Sequence, residues 1–181
     1  MGAEHFAPRK RESMARYNRI FAALDGASTQ EAVVRRTFSI AHDNDAEVML
    51  GHVIDSSMFE TGGVRRQQIA DANQEAIEKE LALYLTRASQ DEHVPSVEIK
   101  VAVGRVDESL VEDLIKPFNP DLVICGVRGL SSIKYAFVGS VSTYLIRHCE
   151  CDVLVVRPEA IEDIPYDEYA ALDLIDITSE E

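Results

Sequence analysis

The sequence predicts an α/β domain: a doubly wound, five-stranded parallel sheet with helices on both faces. Two observations carry this expectation. Short apolar runs alternate with longer segments of helical period, the pattern of parallel strands joined by crossover helices. The resulting string, βαβαβαβαβ, closes through right-handed crossovers into an open sheet that binds ligands at the carboxyl ends of its strands. A chain of 181 residues with 46% hydrophobic content supplies one core, so one domain is expected, over residues 18–158.

Residues 20–24 (Ile-Phe-Ala-Ala-Leu) form the first strand, closed by Asp25-Gly26. Ser28 or Thr29 then caps a helix in which Val34, Phe38 and Ala41 share a face. Residues 47–54 are a second buried strand, and a loop containing Gly62-Gly63 leads into one long helix expected over roughly residues 66–89. Ile69, Asn73, Ala76, Glu80 and Tyr84 are expected along one side of it, with Leu81 and Leu85 beside them. The third strand alternates Val97, Ile99, Val101 and Val103 with Glu98 and Lys100, as a half-exposed sheet edge does. Val106 or Asp107 opens a short helix through Leu110, Leu114 and Ile115, which Pro117 and Pro120 are expected to terminate. Residues 121–125 make the fourth strand, a glycine-rich stretch runs from Gly126 to Gly139, a helix starts at Ser140, and residues 152–157 make the fifth strand.

Charge narrows the class of function. Eighteen Lys and Arg face 32 Asp and Glu, a net charge of −14, which opposes general binding to nucleic acid or an anionic membrane surface. The apolar runs fall far short of the roughly 18 residues of a membrane span, and the basic cluster at residues 9–11 interrupts any signal-peptide core. Three cysteines, an odd number, fit a reducing compartment, and a cytoplasmic location is expected. The charge is also unevenly placed. Residues 1–19 hold five bases and two acids, whereas residues 158–181 hold nine acids and no base. Residues 1–17 therefore read as a flexible basic arm. Residues 159–181 read as an acidic segment whose spaced aliphatics and tyrosines suit docking on its own domain or on a protein partner.

The chemistry concentrates in Gly126-Val127-Arg128-Gly129, nine further residues, then Gly139-Ser140 at a helix start. Glycines past a strand end allow positive φ and let backbone amides approach an anion. The helix start offers unpaired N–H groups and a positive dipole end, with the Ser140 and Ser142 hydroxyls as further donors. Asp25 ends the first strand, where it either makes a turn or meets a ligand. Cys125 reads as a small core side chain, and His52 as a satisfied structural histidine. His148-Cys149-Glu150-Cys151 lacks the paired spacing of a zinc site.

This spacing, followed by a helix and Cys151-Asp-Val-Leu-Val-Val-Arg157, resembles the nucleotide-binding signature of the universal stress protein family. The resemblance extends to residues 18–26 (Asn-Arg-Ile-Phe-Ala-Ala-Leu-Asp-Gly), to His52-Val-Ile54 and to residues 120–129. It implies the strand order 3-2-1-4-5 and a dimer paired through strand five, residues 153–156. It also implies a site for ATP, AMP or another adenine nucleotide, with or without magnesium. On that reading Asp25 and the Gly126 backbone meet the ribose, the Val53 backbone meets the adenine edge, and Gly26 and Cys125 are counted with them among the nucleotide-binding residues. The phosphates lie against Gly129, Gly139, Ser140, Val141 and Ser142, with Arg128 as countercharge. The chain departs from many relatives in carrying Ala27 before Ser28, where they carry a serine.

Competing architectures lack their residues. A dinucleotide fingerprint needs G-x-G-x-x-G after strand one, and Asp25-Gly26-Ala27-Ser28 has a single glycine. No P-loop lysine motif is present, and Arg157 ends strand five where a receiver domain needs lysine. No nucleophile–base pair presents itself, so the chain is not read as an enzyme. Two readings remain: a dimeric, nucleotide-charged stress regulator, or an interaction module working through its basic arm and acidic segment.

Overall fold

The computed structural model describes residues 17–26, 29–58, 63–127 and 139–157. Apart from Tyr17, the basic arm and the acidic segment expected at the two ends lie outside the described residues, as do Arg128 and Gly129.

Five parallel strands form one sheet in the order β3-β2-β1-β4-β5, with β1 at Arg19–Leu24, β2 at Glu47–Asp55, β3 at Val97–Gly104, β4 at Leu122–Gly126 and β5 at Asp152–Val156. β1 is central and wholly apolar after Arg19, and every residue from Ile20 to Leu24 is buried. It can be so because both sheet faces are covered. On one face α1 (Gln30–Asn44), α2 (Gly63–Glu80) and α3 (Ala82–Gln90) bury Val34, Phe38, Ala41, Ile77, Leu81 and Ala88 against Ile20, Ala22, Leu50 and Ile124. On the other, Leu110, Val111, Leu114, Ile115, Phe118 and Leu145 pack on Phe21, Met49, Val123 and Cys125. The doubly wound class and the strand order read from the sequence are both found. β3 lies at the sheet edge, as its alternation requires.

The start of β1 is set by Asp121, whose Oδ2 accepts the backbone N–H groups of Asn18 (2.7 Å) and Arg19 (3.0 Å). One carboxylate thus aligns the entry of the central strand on the entry of β4. α1 ends at Asp45, whose left-handed φ of 54° closes the helix before β2.

Two helical expectations need correction. The long helix over 66–89 is two helices meeting at Leu81, where φ −94°, ψ 11° departs from helical geometry while Leu81 N–H still reaches the Ile77 carbonyl at 2.9 Å. Its buried stripe is Ala70, Ile77, Leu81 and Ala88, while Ala76 and Glu80 face solvent. Adjacent stripes at helical spacing compete for the core, and the one holding Ile77 and Leu81 offers more apolar area. The helix after β3 does not stop before Pro117. It runs as α4 (Val106–Ser109), a π-helical stretch (Leu110–Ile115) and α5 (Lys116–Phe118). Pro117 removes one helical donor, yet the turn is completed around it, with Asn119 N–H on the Ile115 carbonyl at 2.8 Å. Termination comes instead from Asn119, at φ 51°.

Candidate functional site

Register brings the sequence-predicted residues to one end of the sheet. Ala23 of β1 pairs Gly51 of β2 and Cys125 of β4, and Leu24 pairs His52. Continuing that register, Leu24 is level with Gly126 of β4, and Asp25 follows one step on, level with Val53 of β2 and one residue past Gly126. β1 ends at Leu24 while β2 continues to Asp55, so the β2 backbone from Val53 onward faces a gap where β1 has stopped. This is the crevice at the switch point of the strand order, where open α/β sheets take ligands. Val53 itself is a core side chain, 6% exposed, and only its backbone can face a ligand.

The turn after β1 is held from beneath. Gly26 has φ +66°, a conformation that favours glycine, and its N–H donates to Gln30 Oε1 at 2.9 Å. Gln30 is fixed in turn by donating from Nε2 to Glu80 Oε1 on α2 at 2.8 Å. Thr29, buried at the start of α1, makes no helix-capping bond with its side chain. Its hydroxyl donates to Asp25 Oδ2 at 3.0 Å, which orients the exposed carboxylate. The sequence raised Thr29 only as a cap and did not single out Gln30. The available signal was the placement of two hydrogen-bonding side chains four residues after Asp25 and Gly26, one helical turn away.

Gly126 is glycine for a reason different from the one expected. It closes β4 without positive φ. A Cβ there would come within 2.5 Å of Thr29 Oγ1 and 2.8 Å of Thr29 Cβ. The first turn of α1 crosses the end of β4 too closely to leave room for a side chain. Asp25, Thr29 and Gly126 are therefore one packed unit across the two lips of the crevice.

α6 (Ser140–His148) returns to the same place. Gly139 is its N-cap, at φ −64° and ψ 166°, and Thr143 N–H bonds the Gly139 carbonyl at 2.9 Å. The N–H groups of Ser140, Val141 and Ser142 precede that first intrahelical bond, and the dipole adds positive potential to them. Ser140 is exposed and Val141 half-buried. Ser142 is 2% exposed and donates its hydroxyl to the Gly126 carbonyl at 3.1 Å, so its hydroxyl proton is already used and its backbone N–H is what it offers. That bond holds the start of α6 against the end of β4. Cys125 sits beneath as a core residue. Burial pushes its thiol up, and the Ser142 hydroxyl opposes the shift.

His52 is structural, as the sequence suggested: Nδ1 lies 2.8 Å from the Leu24 carbonyl and so carries the proton. Arg128 and Gly129, the proposed countercharge and phosphate glycine, fall outside the described residues. Among the described residues no group of three or more His, Cys, Asp or Glu is placed to hold a metal ion, and no helix is long and apolar enough to cross a membrane.

Comparison with known proteins fits this geometry. The model of the universal stress protein family matches residues 16–157. A Staphylococcus haemolyticus protein named for that family is 32% identical over 153 residues, covering 83% of this chain and 90% of its own. A Staphylococcus aureus protein so named is 32% identical over 148 residues, covering 82% and 89%. Among solved structures, the universal stress protein UspA of Lactobacillus plantarum superposes with a TM-score of 0.64 at 23% identity, covering 79% of this chain and 99% of its own. A universal stress protein in complex with cAMP gives 0.56 at 23% identity, covering 78% and 98%. With the family model spanning the whole described sheet, the chain belongs to the universal stress protein family.

Proposed function

We propose that this chain is an adenine-nucleotide-binding regulator of the stress response, working as a homodimer. The nucleotide occupies the crevice between the carboxyl ends of β1 and β4. The Asp25 carboxylate and Gly26 take the ribose hydroxyls, and the β2 backbone at Val53 takes the adenine edge. The N–H groups of Ser140, Val141 and Ser142 take the phosphates, with Gly129 and Arg128 completing that side.

One observation carries the reading: the unpaired N–H groups that open α6 are pinned by the Ser142–Gly126 hydrogen bond to the same strand ends as Asp25. A carboxylate oriented for hydroxyls and a cluster of amides suited to phosphate are the two halves of nucleotide recognition. The universal stress protein solved with cAMP shares this fold, which supports the class of ligand. Thr29 is buried and hydrogen-bonded to Asp25, and its hydroxyl is not presented as a nucleophile, which supports binding over catalysis. Among the described residues no cluster of side chains would hold magnesium by itself, so the ion would enter with the nucleotide and supply countercharge to its phosphates.

Calorimetry on the full chain with ATP, AMP and cyclic AMP tests this. We expect saturable binding of at least one, with a Kd in the low micromolar to millimolar range, about −4 to −8 kcal/mol. No heat and no thermal shift with any of the three at millimolar concentration would overturn the reading. It would leave the crevice structural, with the basic arm and acidic segment as the working surfaces.

A further inference from the structure

At the opposite end of α6 the chain turns into β5 through Cys149-Glu150-Cys151. The two cysteines stand two residues apart, on either side of Glu150, where the chain bends. Both cysteines are half-buried and free. They line a cleft of about 610 Å³ at the amino ends of β4 and β5, together with Tyr17, Lys116, Asp121 and His148. This cleft is remote from the crevice at the strands' carboxyl ends. Cys151 packs with Val153 and Val155 on the face covered by α6, so the pair opens into the cleft rather than along the sheet edge.

A fully extended chain would separate the two Cα atoms by about 6.6–7 Å, the outer limit of the 4.4–6.8 Å range a disulfide accepts. The chain bends at Glu150 and Cys151, which shortens that span, and both side chains line the same cleft. The position is also pinned on both sides. Cys149 N–H caps α6 on the Leu145 carbonyl at 2.9 Å, and Asp152 N–H bonds the Asp121 carbonyl at 3.3 Å.

We propose that Cys149 and Cys151 form a dithiol site that a low-molecular-weight disulfide oxidises to an intramolecular disulfide. One thiolate attacks a sulfur of the small disulfide, forming a mixed disulfide and expelling one small thiolate. The second protein thiolate attacks the protein-bound sulfur, closes the Cys149–Cys151 bond and expels the other. The two protein protons end on the two released thiols, so the protein loses two electrons and the small disulfide gains them. Burial pushes both thiols up, Cys149 to about 11, so the reaction is slow at neutral pH and quickens as pH rises. Cys125, buried in β4, is an internal control that stays reduced.

The test is incubation of the full chain with oxidised glutathione at alkaline pH, followed by thiol blocking, tryptic digestion and mass spectrometry. Cys149 and Cys151 fall in the peptide that begins at His148, and Cys125 falls in another. Expected is a peptide at His148 lighter by two hydrogens and closed to thiol reagents, with Cys125 still reactive. In the Cys149→Ser variant the reaction should halt at a glutathione adduct on Cys151. Retention of all three thiols, a lasting glutathione adduct on the wild type, or a disulfide-linked dimer would each overturn the proposal.

Discussion

Thr29 is the residue through which the two lips of the crevice are coupled. It gives its hydroxyl to Asp25 and occupies the space a Gly126 side chain would need. Its Cβ and Oγ1 lie next to its backbone and cannot swing aside as the tip of a long side chain would. Gly126→Ala should therefore cost about 1–3 kcal/mol in denaturant unfolding, through overpacking. Combined with Thr29→Ala, which removes Oγ1, the nearer of the two opposing atoms, and leaves Cβ, the pair should be less destabilised than the two single variants added, with coupling of about 0.5–3 kcal/mol. Strict additivity would mean that the close approach is relieved elsewhere. Thr29→Val, which keeps the volume and drops the hydroxyl, should leave the fold and weaken nucleotide binding, while Thr29→Ser should restore it.

A second residue-scale prediction concerns pH. His93 Nδ1 lies 2.7 Å from Asp45 Oδ1, and His42 Nδ1 lies 2.8 Å from Asp91 Oδ2, with the two rings edge to face at 4.6 Å. The hydrogen bond to Asp45 raises the His93 pKa above its ordinary value, and the charges of Asp45, Asp91 and Glu92 add to it. A pKa raised on folding gives stability that is fully present below the unfolded value and is lost as pH rises through the folded one. The thermal-midpoint gap between wild type and Asp45→Asn should thus be largest in mild acid and shrink toward pH 8. Asparagine suits the left-handed position, so the variant isolates the charge. A gap independent of pH would show that the pair does not form in solution.

At the scale of elements, β5 is the edge opposite β3, and its backbone groups divide cleanly. Asp152 N–H bonds the Asp121 carbonyl just before β4, and the Val156 carbonyl accepts from Val127 N–H just after it. Even-numbered residues therefore serve the ladder, and the N–H and C=O groups of Val153 and Val155 point outward. An apolar edge of this kind invites a second copy. Val156 is 5% exposed, which makes it a core residue and a poor probe of the interface. Val155→Pro removes an outward donor without touching β4. It should shift the mass in light scattering toward the monomer with circular dichroism unchanged. A folded Val155→Pro protein that stays dimeric would place the interface elsewhere.

The elements also show what the sequence could and could not convey. Alternation in β3 and the uniformly apolar β1 are one-dimensional signals of edge and centre, and both were legible. The break at Leu81 and the stripe through Ile77 were not, because α2 and α3 choose their buried side by competition for a sheet face that local spacing does not describe. At Gly126 the sequence marked the right residue, but the reason lay in a contact between residues about a hundred positions apart, which no local motif encodes. Thr29 and Gln30 lie only four residues from Asp25 and Gly26, a local spacing, whereas the contact of Gln30 with Glu80 spans fifty positions and is made only by the fold.

On the scale of the whole molecule, the sheet separates two chemistries. Its carboxyl end carries Asp25, Gly126 and the start of α6, and its amino end carries the Cys149–Cys151 pair, with α6 running between them. The account's central claim is that the carboxyl-end crevice takes a nucleotide through the N–H groups that open α6. Amide chemical-shift mapping by NMR, with ATP titrated into the isotope-labelled full chain, tests it most directly. The account predicts saturable shifts at Gly126, Ser140, Val141 and Ser142 that share one Kd with Asp25 and Gly26, while the amides of Lys116, His148 and Cys149 stay in place. Shifts confined to the amino-end cleft, or none at millimolar ATP, would contradict it.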